Sequence, residues 1–333
     1  MSYKLSIGFR SRGGTDREEA FNRVRAADEA GVDTIWVAES WGEDAFTLMG
    51  QIVDRTKQVK VGSAIVNVYS RTPAALAQHF ASLDVASGGR MIIGLGTSGA
   101  NVIEHFHGVP FDRPLQRTRE YVEIINILIA GAPLKYKGEI FQMERGFTLN
   151  MQRQRDHIPV FLATLSPKSI QQTGEIADGW LPIWTPIQDI DRISSEIRKS
   201  ATDAGRPADA LTLRSPGGII ITNDVDRARA ATAGNFAYYL NRMGVFYHRH
   251  IRRLGYGDIV DMVQKAWSEG GSGAGAEAVP PDLQQQLILV TNSVEEARER
   301  LAEEAAAGID LHSVTIEGQA PQEMQKTYEA LIR

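Results

Sequence analysis

Residues that could do chemistry follow several apolar stretches of this chain, at the points where each stretch ends. One is a carboxylate, Glu39, which comes directly after "TIWVA". Burial at such a point raises a carboxyl pKa toward the range useful for proton transfer. The alternative is that Glu39 is a solvated residue at the start of the next helix, where the helix dipole favours it.

Two further strand ends carry small or polar residues. In "GLGTSG" the small residues let a ligand approach the backbone closely and leave amides and hydroxyls open, although an ordinary turn has the same composition. In "LSPKS" Ser166 is the expected cap of a helix and Pro167 its first residue. Helix N-termini bind phosphate through free amides, but capping alone also explains Ser166.

Other polar groups point less clearly to chemistry. His105 and His107 have a spacing that suits neither one helix face nor the H-E-x-x-H zinc motif, so no metal site is expected. His248 and His250, in "YHRHIRR", are interpreted as a solvated basic face, with contact to an anionic substrate as the alternative. Trp184 is expected in the core, although it lies near enough to a strand end to line a pocket.

The elements that must position these residues alternate between strand and helix. Each apolar run is followed by a turn and a helical stretch, at the spacing typical of a parallel sheet covered by helices. The predicted strands are 5–9, 34–38, 59–66, 91–95, 159–163, 179–183, 211–221 and 311–316. Eight such units predict an α/β fold, the (β/α)8 TIM barrel. A doubly wound sheet is disfavoured because no G-x-G-x-x-G follows the first strand.

The second half contains the less regular segments. Residues 133–143 are predicted to form a hairpin, and residues 225–267 a long helical region. The Gly- and Ala-rich residues 268–282 lack bulky side chains and are predicted to be a mobile surface loop. The chain is therefore expected to be one domain, residues 1–333, with insertions near 100–157 and 235–285.

Composition limits the partners. The 333 residues carry a net charge of −5, so no excess of positive charge is available for nucleic acid or an anionic membrane. The absence of Cys excludes thiolate chemistry and suits a cytoplasmic protein, and no run has the length of a signal peptide or a membrane span. A small-molecule substrate is expected, and any redox chemistry must come from a bound cofactor.

Four stretches resemble the bacterial luciferase-like superfamily, and most closely its branch of coenzyme F420-dependent oxidoreductases, which includes methylene-tetrahydromethanopterin reductase. They are "VGSAIVNVYSRTPAALAQHFASLD" (61–84), "SGGRMIIGLGTSGANVIEHFHGVPFDRPLQRTREYVEIINIL" (87–128), "IPVFLATLSPKSIQQTGEIADGWLP" (158–182) and "VTNSVEEARERLAEEAAAGID" (290–310). The resemblance covers most of the chain.

The resemblance implies a barrel with insertions and a deazaflavin across the strand ends. It also implies a bulge on the third strand with a non-prolyl cis peptide, here the Ala64–Ile65 bond. The implied cofactor-binding residues are Phe9, Ser40, Ala64, Ile65, Asn67, Gly96, Thr97, Ser98, Gly99, Thr164, Leu165, Ser166, Pro167 and Lys168. Of these, residues 164–168 would bind the phosphate, and Glu39 would be a proton donor or a cofactor anchor.

The resemblance leaves the reaction open. The sugar-phosphate dehydrogenases of the branch carry an Asp-His pair where this chain has Glu39-Ser40, and a Glu where it has Gly99, so their reaction is not expected. We expect hydride transfer between coenzyme F420 and a small organic substrate. An FMN-dependent monooxygenase and a non-catalytic cofactor-binding protein are the alternatives, and a homodimer is expected.

Overall fold

The computed structural model describes residues 2–9 and 17–333. The strands are β1 Leu5–Gly8, β2 Thr34–Val37, β3 Lys60–Ser63, β4 Val66–Asn67, β5 Met91–Gly96, β6 Leu134–Lys137, β7 Gln142–Phe147, β8 Val160–Leu162, β9 Gly179–Trp180, β10 Thr212–Leu213, β11 Ile219–Ile221, β12 Leu289–Thr291 and β13 His312–Ile316.

Thirteen α-helices are described, together with a short 3-10 helix at Ile187–Asp189. They are α1 Arg17–Ala30, α2 Ala45–Arg55, α3 Pro73–Ser87, α4 Ala100–His105, α5 Pro114–Ile129, α6 Pro167–Ile176, α7 Ile190–Asp203, α8 Val225–Arg242, α9 Val245–Arg253, α10 Gly257–Glu277, α11 Pro281–Leu287, α12 Val294–Ala306 and α13 Pro321–Ile332. Local sequence sets their ends: Thr72 caps α3 through the Ala75 amide, and Gly88 ends it in a left-handed conformation.

The large sheet is parallel and curls into a barrel. Its strand order is β10-β9-β8-β5-β3-β2-β1-β13-β11-β12, with β4 beside β5, while β6 and β7 form a separate antiparallel hairpin. A parallel bridge between Arg214 and Leu311 joins β10 back to β13 and closes the ring. The predicted TIM barrel is therefore confirmed, and the hairpin lies in the segment between β5 and β8.

One predicted strand is broken. Residues 211–221 were expected to be continuous, but they form β10 and β11, separated by the "SPGG" of residues 215–218. The two pieces contact the same edge of β13, since Arg214 pairs with Leu311 and β11 begins opposite Val314. Proline and two glycines explain the break, because Pro216 has no N–H to donate and Gly218 has a φ of 98°.

The predicted mobile loop at residues 268–282 is wrong. Helix α10 runs on to Glu277, with a kink at Gly271, and α11 begins at Pro281. Small residues permit close packing here rather than preventing it: a Cβ at the buried Gly275 would stand 2.8 Å from Cε3 of Trp267. The region 225–267 is helical as predicted, but it is divided into α8, α9 and the first half of α10.

Candidate functional site

A bulge follows β3 and is hydrogen-bonded to the end of the neighbouring strand, β2. Strand β3 ends at Ser63, the Ala64–Ile65 peptide is cis, and β4 begins at Val66. The Ala64 amide donates to Val37 O at 2.7 Å, and the Glu39 amide donates to Ile65 O at 3.3 Å. The cis bond that the resemblance implied is present, and the two backbone hydrogen bonds join the bulge to the end of β2.

The carboxylate of Glu39 is buried in an ion pair. Arg71 donates to both of its oxygens, at 2.7 and 3.0 Å, and the amide of Ala45, the first residue of α2, donates to Oε2 at 3.0 Å. The Glu39 side chain is 8% exposed. It therefore lies at the start of the next helix, as one interpretation of the sequence held, but it is not solvated.

Arg71 joins two carboxylates. Its Nη2 also donates to Asp44 at 2.6 Å, and its guanidinium lies 4.9 Å from the ring centre of Phe46. The hydrogen bond with Glu39 and the charges of Glu39 and Asp44 raise the pKa of Arg71. Burial acts to raise the pKa of Asp44, but the hydrogen bonds from Thr47 and the charge of Arg71 hold it below the ordinary value. The cluster is charged and fixed, which suits an anchor better than a proton donor.

The inner face of the barrel mouth is lined by small residues. Gly8, Ala38, Ala64, Gly96 and Ala163 continue the inward-facing alternation at or just beyond the ends of five strands. A Cβ at Gly96 would stand 3.0 Å from Cγ1 of Ile65 and 3.3 Å from the Ala163 methyl, and a Cβ at Gly8 would meet nothing within 4 Å. Such a cradle fits the edge and face of a flat ring, because side chains larger than methyl would fill it.

Large side chains form the floor beneath this cradle. Trp36 and Phe161, whose ring centres are 5.5 Å apart, pack with Ile92, and Ala64 and Ala163 rest on them. Beside Trp36 lies Arg214, which donates to Ser313 Oγ at 2.9 Å. Burial lowers the pKa of Arg214 to about 10, which still leaves it charged at neutral pH. Its Nε and the Trp36 Nε1 have no hydrogen-bond partner in the described part of the chain.

The Asn67 side chain is engaged on both ends. Its Oδ1 accepts from the amides of Tyr69 and Ser70 at 3.0 and 2.8 Å, and its Nδ2 lies 3.3 Å from His107 Nε2. Asn67 pairs with Gly96 across β4 and β5, which brings these two predicted residues together. Sequence reasoning did not connect His107 with this site.

The turn after β5 has an unusual backbone. Ser98 has a φ of 57°, and Thr97 Oγ1 donates to Ser98 O at 3.2 Å. Gly99 is the N-cap of α4, and a Cβ there would stand 2.9 Å from Met243 O, so glycine is needed for contact with the end of α8. This is a packing reason for Gly99 in addition to the implied cofactor contact.

The turn after β8 is held from outside the barrel. Thr164 O accepts from Trp180 Nε1 at 3.0 Å, and Arg253 of α9 donates to Leu165 O at 3.1 Å. Ser166 caps α6 reciprocally with Ser169, as the sequence predicted. Because Pro167 has no N–H and the Ser169 amide is already bonded, an anion at this helix end would meet the amide and ammonium group of Lys168, whose residue is exposed.

The prediction of a solvated basic face is wrong for His250. It is 2% exposed and lies 3.0 Å from Thr185 Oγ1. Burial and the charge of Arg253 lower the pKa of His250 to about 4, so the ring is neutral at pH 7. The interior side of α9 therefore packs against the segment after β9, where Thr185 lies, while Arg253 of the same helix reaches the turn after β8.

Two predicted residues lie beside the cradle. Phe9 is half-buried, its ring centre is 5.4 Å from that of Phe21, and its amide donates to Trp36 O. Ser40 is exposed in the turn after β2. The sequence analysis missed Arg71, which binds Glu39, and Arg253, which binds the turn after β8. Arg71 could have been identified from its position as a cation shortly after β4, in "YSRTP".

Within residues 2–9 and 17–333, no group of three or more His, Asp or Glu side chains could hold a metal ion. In the same part of the chain, none of the helices is both long and apolar enough to cross a membrane.

The profile of the luciferase-like monooxygenase family matches residues 1–311. This chain belongs to the luciferase-like monooxygenase family. A relative from Mycobacterium tuberculosis, whose name marks it as a candidate coenzyme F420-dependent oxidoreductase, is 31% identical over 309 residues, covering 88% of this chain and 89% of the relative. A 5,10-methylenetetrahydromethanopterin reductase from Archaeoglobus fulgidus is 25% identical over 295 residues, covering 86% of each chain.

The solved structures support the fold of this luciferase-like protein. A coenzyme F420-dependent tetrahydromethanopterin reductase from Methanopyrus kandleri superimposes with a TM-score of 0.80 at 21% identity, covering 100% of this chain and 97% of that one. The likeness therefore extends over the whole barrel and its insertions.

Proposed function

We propose that this luciferase-like protein is a coenzyme F420-dependent oxidoreductase that exchanges hydride between the deazaflavin and a small organic substrate. The observation that carries the proposal is the cradle of small residues at the barrel mouth, in a chain 31% identical to a relative named for this cofactor. A bound deazaflavin supplies a carbon that accepts or donates hydride.

We assign the cradle to the ring of the cofactor. Ala64, Ile65 and Gly96 would hold its face and edge, and the Asn67 carboxamide, together with the turn from Thr97 to Gly99, would supply polar contacts near its side chain. Phe9 and Ser40 would border it from the neighbouring strand ends. Arg214 places a positive charge beneath the cradle, and its Nε and the neutral Trp36 Nε1 are buried donors without acceptors among the described residues.

The turn after β8 is assigned to the cofactor's phosphate. Lys168 would provide a cation and an amide, and Arg253, already bonded to Leu165 O, would add a second positive charge at the same turn. Thr164, Ser166 and Pro167 would shape the turn. Because α9 supplies Arg253, the insertion and the barrel would bind this group jointly.

Glu39 is assigned to anchoring rather than proton transfer. Arg71 donates to both of its oxygens and the Ala45 amide donates to Oε2, so these contacts hold the side chain in place. Its part would be to fix the end of β2 and the bulge that it contacts through its amide.

The second candidate is an FMN-dependent monooxygenase, which the family's description favours. The two cofactors differ at ring position 5, where flavin has a nitrogen that supports oxygen chemistry. A protein that binds cofactor without turning over any substrate would be a non-catalytic relative.

Fluorescence titration of purified protein with oxidised F420, reduced F420 and FMN separates these candidates. We expect saturable deazaflavin binding, and Lys168→Met is expected to weaken it about 3–10-fold, the effect of one exposed charge-assisted contact. The matched control is Lys57→Met, also exposed but preceding β3 at the opposite end of the barrel. A yellow protein with a flavin spectrum and no deazaflavin binding would refute the proposal in favour of the monooxygenase.

We also propose that the protein is a homodimer. Light scattering would then give a mass of twice the 36.6 kDa of the chain. A monomer at micromolar concentration would contradict this.

A further inference from the structure

Arg214 lies inside the barrel, directly after β10. Its guanidinium is 6.0 Å from the ring centre of Trp36, and its Nη2 donates to Ser313 Oγ at 2.9 Å. Trp36 packs with side chains from other strands and strand ends around the barrel, namely Ile92, Phe161, Leu181 and Leu311. Side chains from so many strands meet only in the interior of a barrel, so Arg214 is an interior cation.

This cation has no adjacent counter-charge. Within the described residues, no carboxylate lies within 4.0 Å of the Arg214 guanidinium. The charge of Glu304 acts on Arg214, but Glu304 belongs to α12, outside the barrel, and it lies 2.8 Å from His312 Nδ1. Burying a charge without a partner is costly because the charge loses its hydration. A negative charge inside the barrel would offset that cost.

The cradle lies one layer of side chains above this cation. Trp36 precedes the cradle residue Ala38 by two positions, and Phe161 precedes Ala163 by two positions. Two residues span about 7 Å of a strand, which puts a ring in the cradle about 10–15 Å from the guanidinium. The charge of Arg214 therefore acts on the cradle through space, without contact.

A deazaflavin differs from a flavin in the charge that its ring can carry. The ring of coenzyme F420 is an 8-hydroxy-5-deazaflavin, and loss of the hydroxyl proton spreads one negative charge over the conjugated ring. The flavin ring of FMN has no such hydroxyl and is neutral at pH 7. Because the charge of the anion is delocalised, its attraction to Arg214 does not require one particular edge of the ring to face downward.

We propose that Arg214 holds the ring of the bound deazaflavin in its anionic form and thereby makes the site prefer a deazaflavin to a flavin. The inference rests on the proposed function. At a separation of about 10–15 Å and an effective dielectric constant of about 20, one charge changes an ionisation equilibrium about 5–20-fold.

Other charged groups also border the cradle, and they are Glu39, Asp44, Arg71, His107, Lys168 and Arg253. Arg71 is bonded to both carboxylates, and the other two cations belong to the turn after β8 and to α9, which contacts it. The histidine lies 3.3 Å from the Asn67 side chain. All of these groups remain when Arg214 is replaced, so a comparison between variants reports the effect of Arg214.

Absorbance titration against pH tests the proposal in protein saturated with oxidised F420, because the neutral and anionic rings absorb differently. In Arg214→Gln the acid dissociation constant of the bound ring is expected to fall about 5–20-fold. Arg214→Lys keeps the charge and is expected to stay within about threefold of wild type. A structural role of Arg214, such as its bond to Ser313, would not move the ionisation of the ring.

A second variant neutralises Arg214 without removing it. Ser313→Asp places a carboxylate beside Arg214 Nη2 and is expected to lower the dissociation constant as Arg214→Gln does, so the test stands even if Arg214→Gln does not fold. The control Arg198→Met removes a cation that is bonded to Asp310, near the start of β13 at the opposite end of the barrel. It is expected to leave the constant unchanged.

Affinity gives an independent measure. At a pH where the free deazaflavin ring is ionised, Arg214→Gln is expected to weaken F420 binding about 5–20-fold and to leave FMN binding unchanged.

The same dissociation constant in wild type, Arg214→Gln and Ser313→Asp would overturn the proposal. An Arg214→Lys variant that behaves like Arg214→Gln would also overturn it, because the charge would then not be the cause. Wild-type protein that binds no deazaflavin would instead refute the proposed function, and this inference with it.

Discussion

Replacing Glu39 by Gln tests whether the Glu39 carboxylate anchors the structure or acts as a catalytic acid. Glutamine keeps the size of the side chain but removes the charge that faces Arg71. Breaking a buried ion pair costs about 3–5 kcal/mol in the free energy of unfolding. The cost is smaller here because the Arg71 side chain is 21% exposed and keeps Asp44 at 2.6 Å. We expect a loss of about 2 kcal/mol.

The expected shift in melting temperature follows from chain length. Unfolding entropy of about 2.1 cal/mol/K per residue makes a loss of about 2 kcal/mol a decrease of about 3 °C for this chain. Differential scanning calorimetry at pH 7 measures it. The control is Glu43→Gln, a surface carboxylate four residues away that is 42% exposed and is expected to change stability by less than about 0.5 kcal/mol.

A double-mutant cycle with Arg71→Met completes the test, with an expected coupling of about 1–2 kcal/mol. Single-turnover hydride transfer in Glu39→Gln is expected to stay within about tenfold of wild type. If instead turnover fell by about 100-fold or more while the melting temperature was unchanged, Glu39 would be the acid and the anchoring argument would be refuted.

Three further outcomes are expected. Burial lowers the pKa of His250 in the folded state to about 4, below its ordinary 6.5, so the stability that the neutral ring contributes is present above pH 6.5 and is lost as the pH falls toward 4. Urea titrations at several pH values should show a loss of at most about 3 kcal/mol in the free energy of unfolding. His250→Gln should remove most of this pH dependence. Gly275→Ala should lower the free energy of unfolding by about 1–3 kcal/mol, because the new methyl group would overlap Trp267. In the control Gly273→Ala the methyl group meets nothing within 4 Å, so the change should be neutral or stabilising. Equal changes in stability for the two variants would contradict the packing of α10. Gly8→Val, at a cradle position where a Cβ would meet nothing within 4 Å, should weaken deazaflavin binding at least tenfold with little loss of thermal stability, and unchanged affinity would remove Gly8 from the cradle.

The regular part of the barrel was predictable because local signals agree with the tertiary structure there. Strand β5, predicted at 91–95, runs from Met91 to Gly96, and Ser166 with Pro167 correctly marked the start of α6. These features depend on residues within a few positions of each other. The cis Ala64–Ile65 bond was reached only through resemblance, since nothing in the local sequence specifies it.

The errors share a cause, which is that burial was judged from composition. Gly275 packs against Trp267, so a small residue serves close contact rather than mobility. His250, although surrounded by arginines in sequence, lies on the interior side of its helix and meets Thr185. Which face of a segment is covered depends on partners far along the chain.

The charge partner of Glu39 illustrates the same limit. Arg71 is 32 residues away, and it reaches Glu39 because β2 and β3 are adjacent in the barrel. Strand adjacency could be predicted from the alternating pattern, but which side chains would meet at the strand ends could not.

The segment between β11 and β12 leaves and re-enters the barrel at neighbouring strands. Residues 222–288 leave from Ile221 of β11 and return at Leu289 of β12, two strands that pair side by side in parallel. Exit and entry points therefore stay close together whatever lies between them. This segment carries Arg253, which bonds to the turn after β8, whereas the cradle belongs to the barrel. A graft of these residues from a relative would therefore exchange the contact with the turn after β8 while the strands that form the cradle stayed intact.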